Sequence, residues 1–194
     1  MHRIARRRIS IIGIGILIAV FVGLAITWII APVDNAIIPS SSSSATTAII
    51  DGISCDTMEH LNFHIHAHLD IFINAQSYTI PSEIGIVANK CIYWMHTHDD
   101  SGIIHIESPE VRIFTLGEFF NIWNKKFNNN QLFDNVVGEG SSNNNTLSVY
   151  INGTRVSNEV DYREVKINAH DEIAIVYGKP PDSIPSSYPF PKGL

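Results

Sequence analysis

His60–Asn74, HLNFHIHAHLDIFIN, alternates apolar and polar side chains with a period of two. Leu61, Phe63, Ile65, Ala67, Leu69, Ile71 and Ile73 fall on one side, and His60, Asn62, His64, His66, His68 and Asp70 on the other. Period two is the mark of a strand with one buried face. The stretch therefore predicts a β-rich core, and it turns a row of imidazoles to the opposite side. Residues i and i+2 of a strand stand roughly 6.6 Å apart, close enough for two imidazoles to converge on one ion.

A second histidine-dense stretch lies at Tyr93–Glu107, YWMHTHDDSGIIHIE. Strand-like runs flank Asp99-Asp100-Ser101-Gly102, a turn sequence in which Asp and Ser bond their own backbone and Gly102 takes φ > 0. A tip at Asp100-Ser101 sets His96 opposite His105 and puts His96, His98, His105 and Glu107 on one face. A bulge at Gly102 is the alternative, and it sends His105 to the other face. The first register gathers three imidazoles and a carboxylate, the ligand count of a catalytic zinc or a copper site. The candidate metal ligands are His64, His66, His68, His96, His98 and His105, with copper or zinc as the ion. Glu107 is the candidate catalytic acid/base group, and Glu107 and Asp70 are alike candidates for a ligand, for a partner that orients an imidazole, or for an acid/base group. Met58 and Met95 are possible soft donors for copper, though single methionines usually fill cores. A metal-free histidine row would repel itself as pH falls through about 6.5, so a pH-sensing interaction domain is a further reading.

The other segments set the organisation of the chain. Ile9–Ala31 is a run of 23 residues without a charged side chain, long enough to cross a bilayer as a helix. Arg3, Arg6, Arg7 and Arg8 precede it, which predicts a cytoplasmic amino terminus and a single-pass anchor with an extracytoplasmic domain. A cleaved signal peptide is the alternative. The expected divisions are a basic segment at 1–8, the anchor at 9–31, a Ser-rich linker at 32–50, the His-rich domain at 51–178 and a loose Pro-rich tail at 179–194. Outside the anchor Cys55 and Cys91 read as a disulfide in an oxidising compartment, with Cys91 as a thiolate ligand the rival. The net charge of −6 gives no basis for nucleic-acid binding. The expected partners are the membrane, a metal ion and a neighbouring membrane enzyme.

Thr115 and Glu118 open a predicted helix over Leu116–Phe127 as a capping box, and Leu116, Phe119, Phe120, Trp123 and Phe127 form its apolar stripe. Asn152-Gly153 between apolar runs predicts a hairpin, and Val165–Ile167 and Glu172–Tyr177 predict further strands. The sheet is expected to turn near Ser77–Ile86. The fold class is α+β: a mostly antiparallel β domain with one amphipathic helix, either a β-grasp-like roll or a β-sandwich or cupin-like barrel.

The segment Cys91–Pro109, CIYWMHTHDDSGIIHIESP, with His64–Leu69 upstream and Phe114–Phe120 downstream, resembles a group of uncharacterised membrane-anchored extracytoplasmic proteins of archaea, notably ammonia oxidisers. The resemblance spans roughly half the predicted domain. It implies an extracytoplasmic setting and a copper-rich physiology, and no activity. The leading expectation is a membrane-tethered metal-binding protein, with copper ahead of zinc, that handles metal for a neighbouring enzyme. The alternative is a small His-triad metalloenzyme, hydrolytic or oxidative and cupin-like, with Glu107 as its base. A deep pocket at the ion would favour the enzyme, and a shallow, solvent-open ion would favour storage or transfer.

Overall fold

The computed structural model describes residues 48–139 and 145–194. The basic segment, the 9–31 anchor and most of the linker lie outside the described residues. Among the described residues no helix is long and apolar enough to cross a membrane.

The early strands are β1 (Cys55–Asp56), β2 (Phe63–Ile73), β3 (Gln76–Tyr78), β4 (Ile86–Val87), β5 (Cys91–Tyr93), β6 (Met95–His96) and β7 (Ile103–Ser108). The helix α1 (Leu116–Ile122) follows. After it come the short strands β8 (Phe127–Asn128), β9 (Gln131–Leu132) and β10 (Asn135–Val136). The chain then returns through β11 (Leu147–Ile151), β12 (Thr154–Arg155) and β13 (Glu172–Tyr177). The domain is thus a β-rich α+β structure with one α-helix among the described residues.

The main sheet runs β12-β11-β13-β2-β7-β6, with β3 folding back on β2. Strand β2 is its spine. Residues 63–68 pair antiparallel with β7 and residues 68–73 pair in parallel with β13. The remaining pairs of this sheet are antiparallel. The alternation read in the sequence is realised here. Ala67, Leu69 and Ile71 join Ile104, Ile106, Ile173 and Ile175 in one buried core. Leu116, Phe119 and Phe120 of α1 belong to that same core. The helix covers the apolar face, so the imidazole row occupies the other face.

The capping box forms as expected, since Thr115 accepts from the Glu118 amide while the Glu118 carboxylate accepts from the Thr115 amide. The helix is shorter than the predicted Leu116–Phe127. Asn124 takes φ +55, and the amides of Asn124 and Lys125 donate to the Asn121 and Phe120 carbonyls. That is a Schellman stop built on Asn in place of the usual Gly. Phe127 stays buried but belongs to β8.

Two other expectations are corrected. The sheet first reverses at Asn74-Ala75, both with positive φ, ahead of the expected Ser77–Ile86, where the chain turns a second time over 82–85. Val165–Ile167 is no strand. It makes a single bridge, Thr115 to Lys166, and its Val165 carbonyl accepts from the Leu116 amide at the helix start. Its apolar side chains are buried there rather than in a ladder. The Asn152-Gly153 hairpin forms, with φ of 51 and 76.

Cys55 and Cys91 are joined as a disulfide. This ties β1 to β5 and removes Cys91 as a thiolate ligand. The proline-rich end has no regular structure, yet it is held down. Tyr188 stacks on His68 with centroids 3.7 Å apart, and Phe190 packs on His170.

Candidate metal centre

Strand pairing decides which imidazoles meet. Across the adjacent strands β2, β7 and β6, His66 is paired with His105 and His105 with His96. One step along, His64 is paired with Glu107. Directly paired residues share a face, so the register that sets His96 against His105 is the one present. The ladder opens immediately beyond it. Thr97 leaves β7 and exchanges hydrogen bonds with Glu83 and Ile84, so the loop is longer than a two-residue tip. Asp99 takes the turn role expected of it, accepting from the Ser101 amide. Gly102 has φ +88, and a Cβ there would meet the Leu69 carbonyl oxygen at 2.7 Å. Only glycine fits this corner.

The result is five imidazoles and a carboxylate on one side of the sheet. His64 Nε2 and His66 Nε2 are 3.0 Å apart, and His96 Nε2 and His98 Nε2 are 3.2 Å apart. Two nitrogens bound to one tetrahedral ion at about 2.05 Å stand roughly 3.3 Å apart. Between the two pairs sits His105, whose ring centroid lies 4.6 Å from that of His66 and 4.5 Å from that of His98. Glu107 Oε1 is 3.1 Å from His64 Nε2 and 3.8 Å from His105 Nδ1. Two sets of four donors result: His64, His66, His105 and Glu107, and His96, His98, His105 and Glu107. Within each set the donor atoms lie within 4.8 Å of one another.

Hydrogen bonds fix which nitrogen is available on one of these rings. His96 Nδ1 lies 2.9 Å from the Tyr93 carbonyl oxygen. A carbonyl can only accept, so Nδ1 carries the proton and the neutral ring turns the Nε2 lone pair towards His98. A backbone partner that orients the far nitrogen is the usual arrangement for an imidazole ligand.

Glu107 is 4% exposed, and its Oε2 has no hydrogen-bond partner. No lysine or arginine pairs with it among the described residues. Burial pushes its pKa up, but the His105 hydrogen bond and the charges of His96, His64 and His105 outweigh burial and hold it below the ordinary value. The site therefore holds a buried anion. Burial, with the charge of neighbouring imidazoles, lowers His66 to about 4. Burial is also the main cause that lowers His96 to about 4, aided by His98 and His105. At neutral pH both rings are neutral, the state that binds a metal.

These shifts set an acid limit on the metal-free fold. The unfolded chain takes protons on His66 and His96 from about pH 6.5 downward, whereas the folded chain takes them only near pH 4. Their contribution is complete above pH 6.5 and is lost as pH falls towards 4. The lowered Glu107 acts in the same direction at lower pH. The urea midpoint of the metal-free protein is expected to fall steadily between pH 6.5 and 4.5, and a flat profile there would contradict the assignment.

His68 shares the strand face but not the cluster. Its Nδ1 is 2.8 Å from Glu172 Oε2 and its Nε2 is 2.9 Å from the Ser101 carbonyl oxygen. Nε2 carries a proton because the Ser101 carbonyl can only accept, and Nδ1 shares a proton or a charge with Glu172. His68, Asp70 and Glu172 form a third group that could hold a metal ion. Burial opposes a charge on the His68 ring, but the Glu172 hydrogen bond and charge, with Ser101 and Asp70, raise its pKa above the ordinary value. Asp70 lies beside this pair, at 3.9 Å from His68 Nδ1, and away from the cluster. Met95 is fully buried in the core and Met58 is exposed.

Three partners were absent from the sequence reading. Glu59 Oε1 lies 3.5 Å from His98 Nε2 on the open side of the cluster. Glu172 and Tyr188 capture His68. Glu172 sits 104 positions from His68, and no local pattern links the two.

No protein-family model, no curated protein and no solved structure matches this chain.

Proposed function

We propose that this chain is a membrane-tethered, extracytoplasmic metal-binding protein, with copper favoured over zinc, that holds metal for transfer to a neighbouring enzyme. One observation carries the reading. A buried carboxylate without a Lys or Arg partner sits under five imidazoles whose nitrogens converge at metal-ligand spacing. A buried carboxylate among imidazoles, with no Lys or Arg beside it, is a setting that a bound cation would complete. The donors are nitrogen and oxygen, and for such sites affinity peaks at Cu²⁺ in the divalent series. The resemblance to extracytoplasmic archaeal proteins supports copper in the same direction. The disulfide supports an oxidising compartment, and the apolar run 9–31 behind four arginines supports the tether.

Transfer is favoured over catalysis because the site is open. The His64 and His98 side chains are 36% and 44% exposed, so an ion held there would be reachable from solvent. The strand order β11-β13-β2-β7, with its two middle strands parallel and one helix on the apolar face, supports the β-grasp-like roll over a sandwich or cupin-like barrel. The full-length protein, purified without added metal and then offered equimolar copper and zinc, is expected to retain copper by elemental analysis. His66→Ala and His96→Ala should each lower the amount retained. A parent chain that retains neither metal would remove the proposal.

A further inference from the structure

We infer that the centre holds two ions, one on His64 and His66 and one on His96 and His98, bridged by the two carboxylate oxygens of Glu107. This rests on the metal-binding reading and adds the number of ions and the role of each residue.

The donor count is the first argument. Five imidazoles and a carboxylate exceed the four ligands of a tetrahedral or square site. The second argument is spatial. Donors of one ion, at about 2.1 Å each, lie no more than roughly 4.2 Å apart. Even when up to 4.8 Å is allowed between donor atoms, they close into two sets of four, and no set among the described residues contains all six. The two sets share only His105 and Glu107. Each keeps its own pair of Nε2 atoms, at 3.0 and 3.2 Å, so the cluster is two half-sites that meet at a common wall.

The third argument is Glu107 itself. Its Oε1 faces His64 and His105, while its buried Oε2 faces no donor. One oxygen per ion accounts for both. Glu172 also has a buried oxygen without a partner, but it lies in the separate group that it forms with His68 and Asp70. His105, between the halves, offers a donor to either set. The exposed His64 and His98 leave both ions reachable from solvent.

The test is a titration of the full-length metal-free chain with Cu²⁺, read by elemental analysis and electron paramagnetic resonance. Two equivalents are expected to bind, with the signal of the first equivalent lost or split by magnetic coupling as the second enters. His64→Ala and His98→Ala, both at exposed positions, are each expected to bind one equivalent with an uncoupled signal. Since each variant keeps the other half-site, its remaining ion reports that the fold is intact. Glu107→Gln is expected to abolish the coupling. One equivalent in the parent would overturn the two-ion assignment and leave metal binding standing. Two uncoupled ions, or coupling that survives Glu107→Gln, would overturn the bridge. No bound copper or zinc would overturn both this inference and the reading beneath it.

Discussion

His105→Ala is expected to weaken metal binding at least about 100-fold while leaving the metal-free fold close to its parental stability. Removing a residue that merely orients a ligand typically costs 10–100-fold in affinity, and His105 is a donor in both sets. Its place in the ladder explains why it matters more than its neighbours. It is the middle member of the row His66–His105–His96, so its loss opens a gap that neither flanking strand can close. The stability cost should stay near 1 kcal/mol, because the ring lies among other polar rings on the solvent-side face rather than in the apolar core. A competition titration against a chromophoric chelator measures the affinity, and urea unfolding of the metal-free form measures the fold. His170→Ala is the control, since His170 is exposed and packs on Phe190. Parental affinity in His105→Ala would mean that the imidazoles do not act as one centre.

The features that make this site were legible wherever the physics is local. Alternation over Phe63–Ile73 requires only that one face be buried, and it fixed which histidines share a side. The turn residues at Asp99–Gly102 act within a few bonds of one another, and they brought His96 opposite His105. The capping box and the Asn152-Gly153 hairpin are equally short-range. What failed were choices made by distant partners. His68 has the same parity as His64 and His66, so the alternation placed it with them. Its place in a separate group came from Glu172, which only the parallel pairing of β2 and β13 brings alongside, and Tyr188 stacks on it from a tail with no periodic signal. The helix end was missed for another reason. Asn124 can adopt φ > 0 but does not demand it as Gly would, so the apolar spacing at Trp123 and Phe127 suggested a further turn.

Phe120→Ala is expected to destabilise the metal-free domain by about 3–5 kcal/mol, a large share of the roughly 5–15 kcal/mol that holds a typical domain. Phe120 is fully buried and stacks on Phe127 with centroids 4.3 Å apart, while Trp123 and Phe133 pack around it. It therefore joins the helix to the short β8-β9-β10 sheet, and neither can shift to fill the space without giving up the core. The candidate metal centre lies on the other side of the main sheet, so the substitution removes stability without touching a candidate donor. Ligand binding stabilises the folded form by about 2.7 kcal/mol at a free concentration 100 times the dissociation constant. Saturating metal should therefore recover much of the lost urea midpoint in Phe120→Ala, whereas it should recover little in a protein that also carries His105→Ala. Leu61→Ala serves as the reference, because Leu61 is 79% exposed and its loss should move stability by less than about 0.5 kcal/mol. A cost below about 1 kcal/mol for Phe120→Ala would mean that the helix is not anchored on the sheet as described. An equal metal rescue with and without His105 would mean that the ion binds somewhere other than the imidazole face.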